Sequence, residues 1–224
     1  HAKNANVERL SSAKRVVVKI GSALFVDQET GTLDRNWLTG LCKDVAELRG
    51  NGAEVVIVSS GAIALGSREL KLDARRAQLE EKQAAAAAGQ ILLAHAYQEV
   101  LGQSGIKAAQ VLLTLDDSES RIRYLNASRT LLTLLRCGAV PVVNENDTVA
   151  TQEIRYGDND RLAARVAQMI SAECLVLLSD VDGLYTGNPQ RDESAQHVPE
   201  VRALNAKILD MAGGSGSEHG SGGL

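Results

Sequence analysis

Aromatic side chains are nearly missing from this sequence: its 224 residues include one Phe, one Trp and four Tyr. A core must therefore be assembled from Val, Leu, Ile and Ala, which suits a parallel sheet covered by helices. The same scarcity argues against the aromatic platforms on which single-stranded nucleic acid stacks. Basic blocks are missing too and the formal net charge is -4, so a nucleic-acid partner has no electrostatic support. The three cysteines, Cys42, Cys137 and Cys174, are far apart and odd in number. They fit neither a metal site nor a disulfide framework, and a reducing, cytoplasmic location is expected. No apolar run is long enough to span a bilayer, and the first residues carry no secretory pattern, so no membrane partner is expected.

Several signature motifs are absent as well. There is no Gly-x-x-x-x-Gly-Lys-Ser/Thr phosphate loop, and no Gly-x-Gly-x-x-Gly follows a first strand, which disfavours a dinucleotide fold. The four histidines are scattered without zinc pairing. No Gly-x-Ser-x-Gly elbow supports a serine hydrolase.

What is present is an ordinary globular balance, 44% apolar and 23% charged, in a chain long enough for one α/β core. Residues 1–13 are polar and read as an N-terminal arm, frayed or holding a short helix. Residues 14–20 carry three consecutive β-branched residues before Gly21-Ser22 and read as a buried strand. Residues 54–58, 108–114, 139–143 and 174–178 read as four more strands. Helical spacing marks 33–49, closed by Gly50-Asn51-Gly52, and 124–136 and 159–171. The Ala-rich 80–101 is a strong helix former. Residues 116–123 read as a charged connection, one more helix is expected over 204–211, and the Gly/Ser-rich 213–223 reads as a flexible linker. Strands interleaved with helices predict an α/β fold, a three-layer αβα sandwich with a largely parallel central sheet.

Polar residues recur just after the strands, above all between Gly138 and Asp160. There the apolar 139–143 runs into Asn144-Glu145-Asn146-Asp147, and Gly157-Asp158-Asn159-Asp160 opens the next helix. Ligands of open α/β sheets sit at that edge, and charges crowded there are costly unless something uses them. Lys19, at the end of the first strand, either snorkels to the surface or reaches an anion. Ser59-Ser60-Gly61 leads from a strand into a helix and either offers backbone N–H groups to an anion or is an ordinary turn. Asp158 and Asp160 have a second reading as helix N-caps, and Asn144 and Asn146 as turn closers. Taken together, a lysine, glycine turns, carboxylates and amides on successive strand ends are sufficient for phosphoryl transfer to a small polar substrate.

Val-Lys-Ile-Gly-Ser-Ala (18–23), Val-Ser-Ser-Gly-Ala-Ile-Ala (58–64), Ala-Ala-Ala-Gly-Gln (86–90), Tyr-Leu-Asn-Ala (124–127), Pro-Val-Val-Asn-Glu-Asn-Asp (141–147), Gly-Asp-Asn-Asp-Arg-Leu-Ala-Ala (157–164) and Leu-Ser-Asp-Val-Asp-Gly-Leu-Tyr (178–185) together resemble the amino acid kinase family, in its glutamate 5-kinase branch. The resemblance covers residues 14–224. It implies transfer of the ATP γ-phosphoryl group to the side-chain carboxylate of L-glutamate, with magnesium bridging phosphates and no protein metal ligand assigned. Carried over position by position, Lys19 contacts the ATP phosphates, and Gly21 and Gly61 let backbone N–H groups approach the moving group. Ser60, Asp147 and Asn159 hold glutamate, Asp160 orients lysines, and Ser179 and Asp180 border the nucleotide. Proline as a feedback inhibitor and a homo-oligomer are expected as well.

The family pattern continues into a Gly-Gly-Met-x-Thr-Lys segment, which should begin where this sequence reads Ser221-Gly222-Gly223-Leu224. The kinase domain is therefore expected to be incomplete at its C-terminus, and residues 1–224 alone to transfer phosphate poorly or not at all. Other acceptors of the same fold (aspartate, acetylglutamate, carbamate, a nucleoside monophosphate) and a non-catalytic amino-acid sensor stand as alternatives.

Overall fold

In the computed structural model, which describes residues 8–27, 29–74, 76–149, 159–189 and 191–212, the first strand sets the layers. Strand β1, Arg15–Ile20, is buried along nearly its whole length. Its side chains alternate: Val16, Val18 and Ile20 join one hydrophobic cluster and Val17 joins another, as the two-residue period of a strand requires. Both faces therefore need a cover of helices.

The covers come in chain order. Helix α1 (Arg35–Gly50), whose first turn is capped by the Asp34 carboxylate, leads to β2 (Glu54–Ser59). Then come α2 (Ala62–Glu69), α3 (Leu79–Gly102) and β3 (Lys107–Leu113). Helices α4 (Leu115–Glu119) and α5 (Arg121–Arg136) precede β4 (Ala139–Glu145). Helix α6 (Asn159–Met169), β5 (Cys174–Leu178) and α7 (Ala206–Ala212) complete the described elements. The sheet has the order β3-β4-β2-β1-β5, and every pair is parallel. Leu38, Leu65 and Leu93 of α1, α2 and α3 pack on the Val16 face, and Leu131, Leu162 and Val166 of α5 and α6 on the Val17 face. The connections from β1 to β3 travel towards one edge over one face, and those from β3 to β5 return over the other. A single crossover hand produces that division.

The expected sandwich and its five strands are therefore present, and three local readings are corrected. Residues 116–123 are not a plain connection: Thr114 and Asp117 form a capping box that starts α4, and α5 begins at Arg121. Strand β4 does not stop at Val143 but runs on to Glu145, with Asn144 buried because its amide is hydrogen-bonded at both ends. The polar region after β5 carries an antiparallel bridge between Tyr185 and His197 that the spacing did not announce. The linker reading of 213–223 lies outside the described residues, as does most of the arm; residues 8–12 are helical.

Helices α2 and α3 cross unusually closely. A Cβ on Gly66 would lie 1.7 Å from the Ala85 carbonyl oxygen, and one on Gly89 1.7 Å from that of Ala62. Backbone cannot yield as a flexible side chain can. Gly66→Ala and Gly89→Ala should therefore each destabilise the fold by at least about 3 kcal/mol through overpacking, measured as a lower urea midpoint with unchanged slope.

Candidate active site

Parity decides where Lys19 goes. It shares the face of Val17, the one covered by α6, and it is buried although it is an ammonium. Its Nζ lies 2.6 Å from Oδ1 of Asp160 in the first turn of α6. That carboxylate oxygen is sealed from solvent with Lys19 as its counter-ion. Lys19 does not snorkel to the surface but turns inward onto the Asp160 carboxylate. The cap reading of Asp160 gives way to an ion pair, because α6 starts directly over the end of β1. Asp158 and Gly157 lie outside the described residues.

Gly21 follows β1 and donates its N–H to the Leu178 carbonyl at the end of β5, at 3.0 Å. A Cβ there would stand 4.0 Å from Lys19 Nζ, so the glycine leaves the space beside the ammonium open. Ser179 and Asp180 continue from Leu178, are exposed, and are joined by a 3.0 Å bond from Ser179 Oγ to Asp180 Oδ1. Asp180 and Lys19 are linked through the Gly21–Leu178 backbone bond.

The neighbouring strand end is built from β2. Ser59 is buried, with its hydroxyl 2.9 Å from the Tyr97 hydroxyl of α3. Ser60 donates its N–H to the Ile20 carbonyl at 3.3 Å, which ties the two strand ends together. Gly61 caps α2 with φ of 107°, a conformation that a side chain rarely adopts, and a Cβ there would meet Val26 Cγ2 at 3.1 Å. The first N–H groups of α2 have no helical acceptor, so this turn can receive an anion.

The two groups meet at Asn159. Its Nδ2 donates to Ser60 Oγ at 2.7 Å and to Asn144 Oδ1 at 3.2 Å. Asn144 in turn donates from Nδ2 to Gln90 Oε1 of α3 at 2.8 Å. Asn159 and Asp160 are consecutive, so one turn of α6 serves an amide cluster and the lysine. Asp147 lies in a 3₁₀ turn after β4, Asp147–Val149, against which α3 packs. Burial alone pushes its carboxyl up to about 6. A carboxylate so placed is short of a cation.

Thus Lys19, Gly21, Ser60, Gly61, Asn159 and Asp160 come together at the carboxyl ends of β1 and β2. Asp147 borders the cluster from β4, and Ser179 and Asp180 from β5. Sequence reasoning named no role for Gln90; it placed Asn144 on the binding edge, with turn closing as its second reading, but gave it no partner. The available signal for Gln90 was a lone polar amide within an apolar helix run; for Asn144 it was the first polar residue after a buried strand. A cleft of about 620 Å³ lined by Leu33, Arg35, Leu65, Arg68 and Lys71, among others, shares no residue with this cluster.

A model of the amino acid kinase family matches residues 14–224. The chain belongs to the amino acid kinase family. Among its curated relatives, the glutamate 5-kinase of Paramagnetospirillum magneticum is 61% identical over 215 residues, covering 96% of this chain and 58% of that protein. Those of Caulobacter vibrioides and Gluconobacter oxydans are 57% and 54% identical, with 94% and 98% of this chain and 56% and 58% of theirs covered. This amino acid kinase chain thus spans little more than half the length of the curated relatives it matches. Among solved structures, the isopentenyl phosphate kinase of T. acidophilum in a product complex superposes with a TM-score of 0.55 at 18% identity, covering 81% of this chain and 76% of that one. That likeness establishes the fold. Among the described residues, no helix is long and apolar enough to cross a membrane.

Asp147 gives this site a pH signature. Its folded carboxyl binds a proton up to about pH 6, whereas its unperturbed value is 3.8. Between those values the folded state holds more protons than the unfolded one, so this group lowers stability as pH rises through the window. Asp147→Asn should remove that decline and raise the melting temperature above pH 6 relative to the unaltered protein, as scanning calorimetry across pH 4–8 would show.

Proposed function

We propose that the full-length protein is a glutamate 5-kinase and that this chain carries its acceptor site and part of its nucleotide site. One observation carries the reading: a buried lysine beside a glycine turn and a cluster of amides are joined through the consecutive Asn159 and Asp160. The first half suits phosphate and the second a small zwitterion. Relatives called glutamate 5-kinase at 54–61% identity support the choice of acceptor.

In this reading a γ-carboxylate oxygen of glutamate attacks the γ-phosphorus of ATP. The bond from that phosphorus to the β,γ-bridging oxygen breaks and ADP departs, leaving L-glutamyl 5-phosphate, a first step towards proline. The carboxylate is already ionised at neutral pH, so no general base is required. Lys19 neutralises charge gathering on the transferred group, and Asp160 holds the ammonium in place. Backbone N–H groups at Gly21 and Gly61 donate to phosphoryl oxygens, an arrangement whose worth grows in a water-poor site. Ser60 and Asn159 hold the amino acid, and Asp147 receives its ammonium. Ser179 and Asp180 border the nucleotide from the exposed side. When bound, magnesium would supply further charge neutralisation to the phosphates; such ions keep most of their ligands from phosphate and water, and no protein ligand is assigned. Proline is proposed to compete in the acceptor site, and the protein to work as a cytoplasmic homo-oligomer.

Coupled ADP release by the full-length protein should respond to L-glutamate and not to aspartate or acetylglutamate; equal turnover of all three would overturn the assignment. Lys19→Met should lower kcat by about 10²-fold or more while glutamate still binds, the scale seen when one preorganised charge stabiliser is removed. Glutamate affinity should weaken as pH falls below about 6, where Asp147 takes up its proton, and titration calorimetry at pH 5 and 7.5 reads the difference.

A further inference from the structure

The amides of Gln90, Asn144 and Asn159 form a chain whose direction is fixed by the backbone. The Glu145 N–H donates to Asn144 Oδ1 at 2.8 Å, so the atom at that position is the oxygen and the other end of the amide is Nδ2. Nδ2 requires an acceptor, so Gln90 must turn Oε1 towards it, and does so at 2.8 Å. Gln90 Nε2 is then left facing away, sealed from solvent and without a partner among the described residues, on a side chain only 8% exposed. At the other end Asn159 commits Nδ2 to Ser60 and to Asn144 Oδ1, which leaves its own Oδ1 buried and without a partner among the described residues. The chain thus ends in one spare donor and one spare acceptor. Buried amides with open hydrogen-bonding positions are uncommon in folded proteins and call for a missing partner. A donor complements a carboxylate and an acceptor complements an ammonium, the two charged groups of a free amino acid.

Gln90 is also well placed. Its neighbour Gly89 lies directly against the Ala62 carbonyl in the first turn of α2, and α3 packs on the Asp147–Val149 turn. The side chain itself bonds Asn144, which accepts from Asn159 beside Ser60, so it is one link removed from the proposed acceptor residues. We propose that Gln90 is a substrate-binding residue whose Nε2–H donates to a carboxylate oxygen of the acceptor amino acid. The assignment rests on the kinase reading above and adds a residue to it.

The test uses the full-length protein and three chains: unaltered, Gln90→Glu and Gln90→Ala. Gln90→Glu keeps the oxygen that accepts from Asn144 and replaces the donor with a second oxygen. It should raise the glutamate KM by about 10-fold or more, the scale of one hydrogen bond to a charged group, with the ATP KM and melting temperature nearly unchanged. As pH falls and the introduced carboxyl gains a proton, it regains an O–H donor. The KM ratio to the unaltered protein should then narrow, whereas the ratio for Gln90→Ala stays flat with pH. An unaltered glutamate KM in both variants would overturn the proposal and assign the spare donor to an internal water. A parallel rise in both substrates' KM with loss of melting temperature would overturn it in favour of a purely structural amide. Failure of the unaltered protein to release ADP with glutamate would instead sink the kinase reading, and this assignment with it.

Discussion

An ammonium buried among strand side chains is costly, and its pairing with Asp160 is what the site depends on. Removed from water alone, such a charge would oppose folding by several kcal/mol. Placed 2.6 Å from a carboxylate, it instead fastens the end of β1 to the start of α6. The fastening has a positional result. Asp160 cannot reach Lys19 without setting Asn159 beside the end of β2, where it bonds Ser60. Phosphate-like and amino-acid-like chemistry are therefore held in register by two adjacent residues on one helical turn.

Most of the frame was legible because its signals are local. Runs of β-branched residues gave the strands, and polar residues directly after them gave the binding edge. Strand parity was implicit in Val17-Val18-Lys19, since a residue two along from Val17 must share its face. Gln90 escaped because its partner, Asn144, is 54 positions away and its helix is apolar nearly all round. Without a clear polar face, one inward amide does not stand out. Asn144 was legible as an amide of the binding edge, but its burial was not: a polar residue after an apolar run looks like the end of a strand, although here the strand continues and buries it. Helix α4 was masked by its own charges, which read as a solvated link while Asp117 was closing a cap.

The two sides of the cluster are built to different standards. At the ends of β2 and β4, Ser59, Gln90 and Asn144 are buried, and the glycine crossing of α2 on α3 leaves their supports no room to shift. Close-packed interiors of this kind hold side chains in single rotamers. On the other side, Ser179 and Asp180 are exposed and held mainly by a bond between neighbours. A small amino acid must be distinguished by a few atoms, which demands fixed donors. Under the proposed function the exposed side would meet a nucleotide, a long polyanion that can be held by many weaker contacts.

The strand order also dictates when such a site can come into being during synthesis. Strand β1 is made first but is flanked by β5, and Lys14 meets Glu173 across 159 positions of sequence. Closing so long a loop costs entropy before the contact returns anything. The Gly21 turn, which leans on the Leu178 carbonyl, cannot be finished until the fifth strand has left the ribosome and docked. The lysine must therefore remain hydrated until synthesis has passed α6 and β5 and both have docked, so its burial waits on residues made about 140 positions after it.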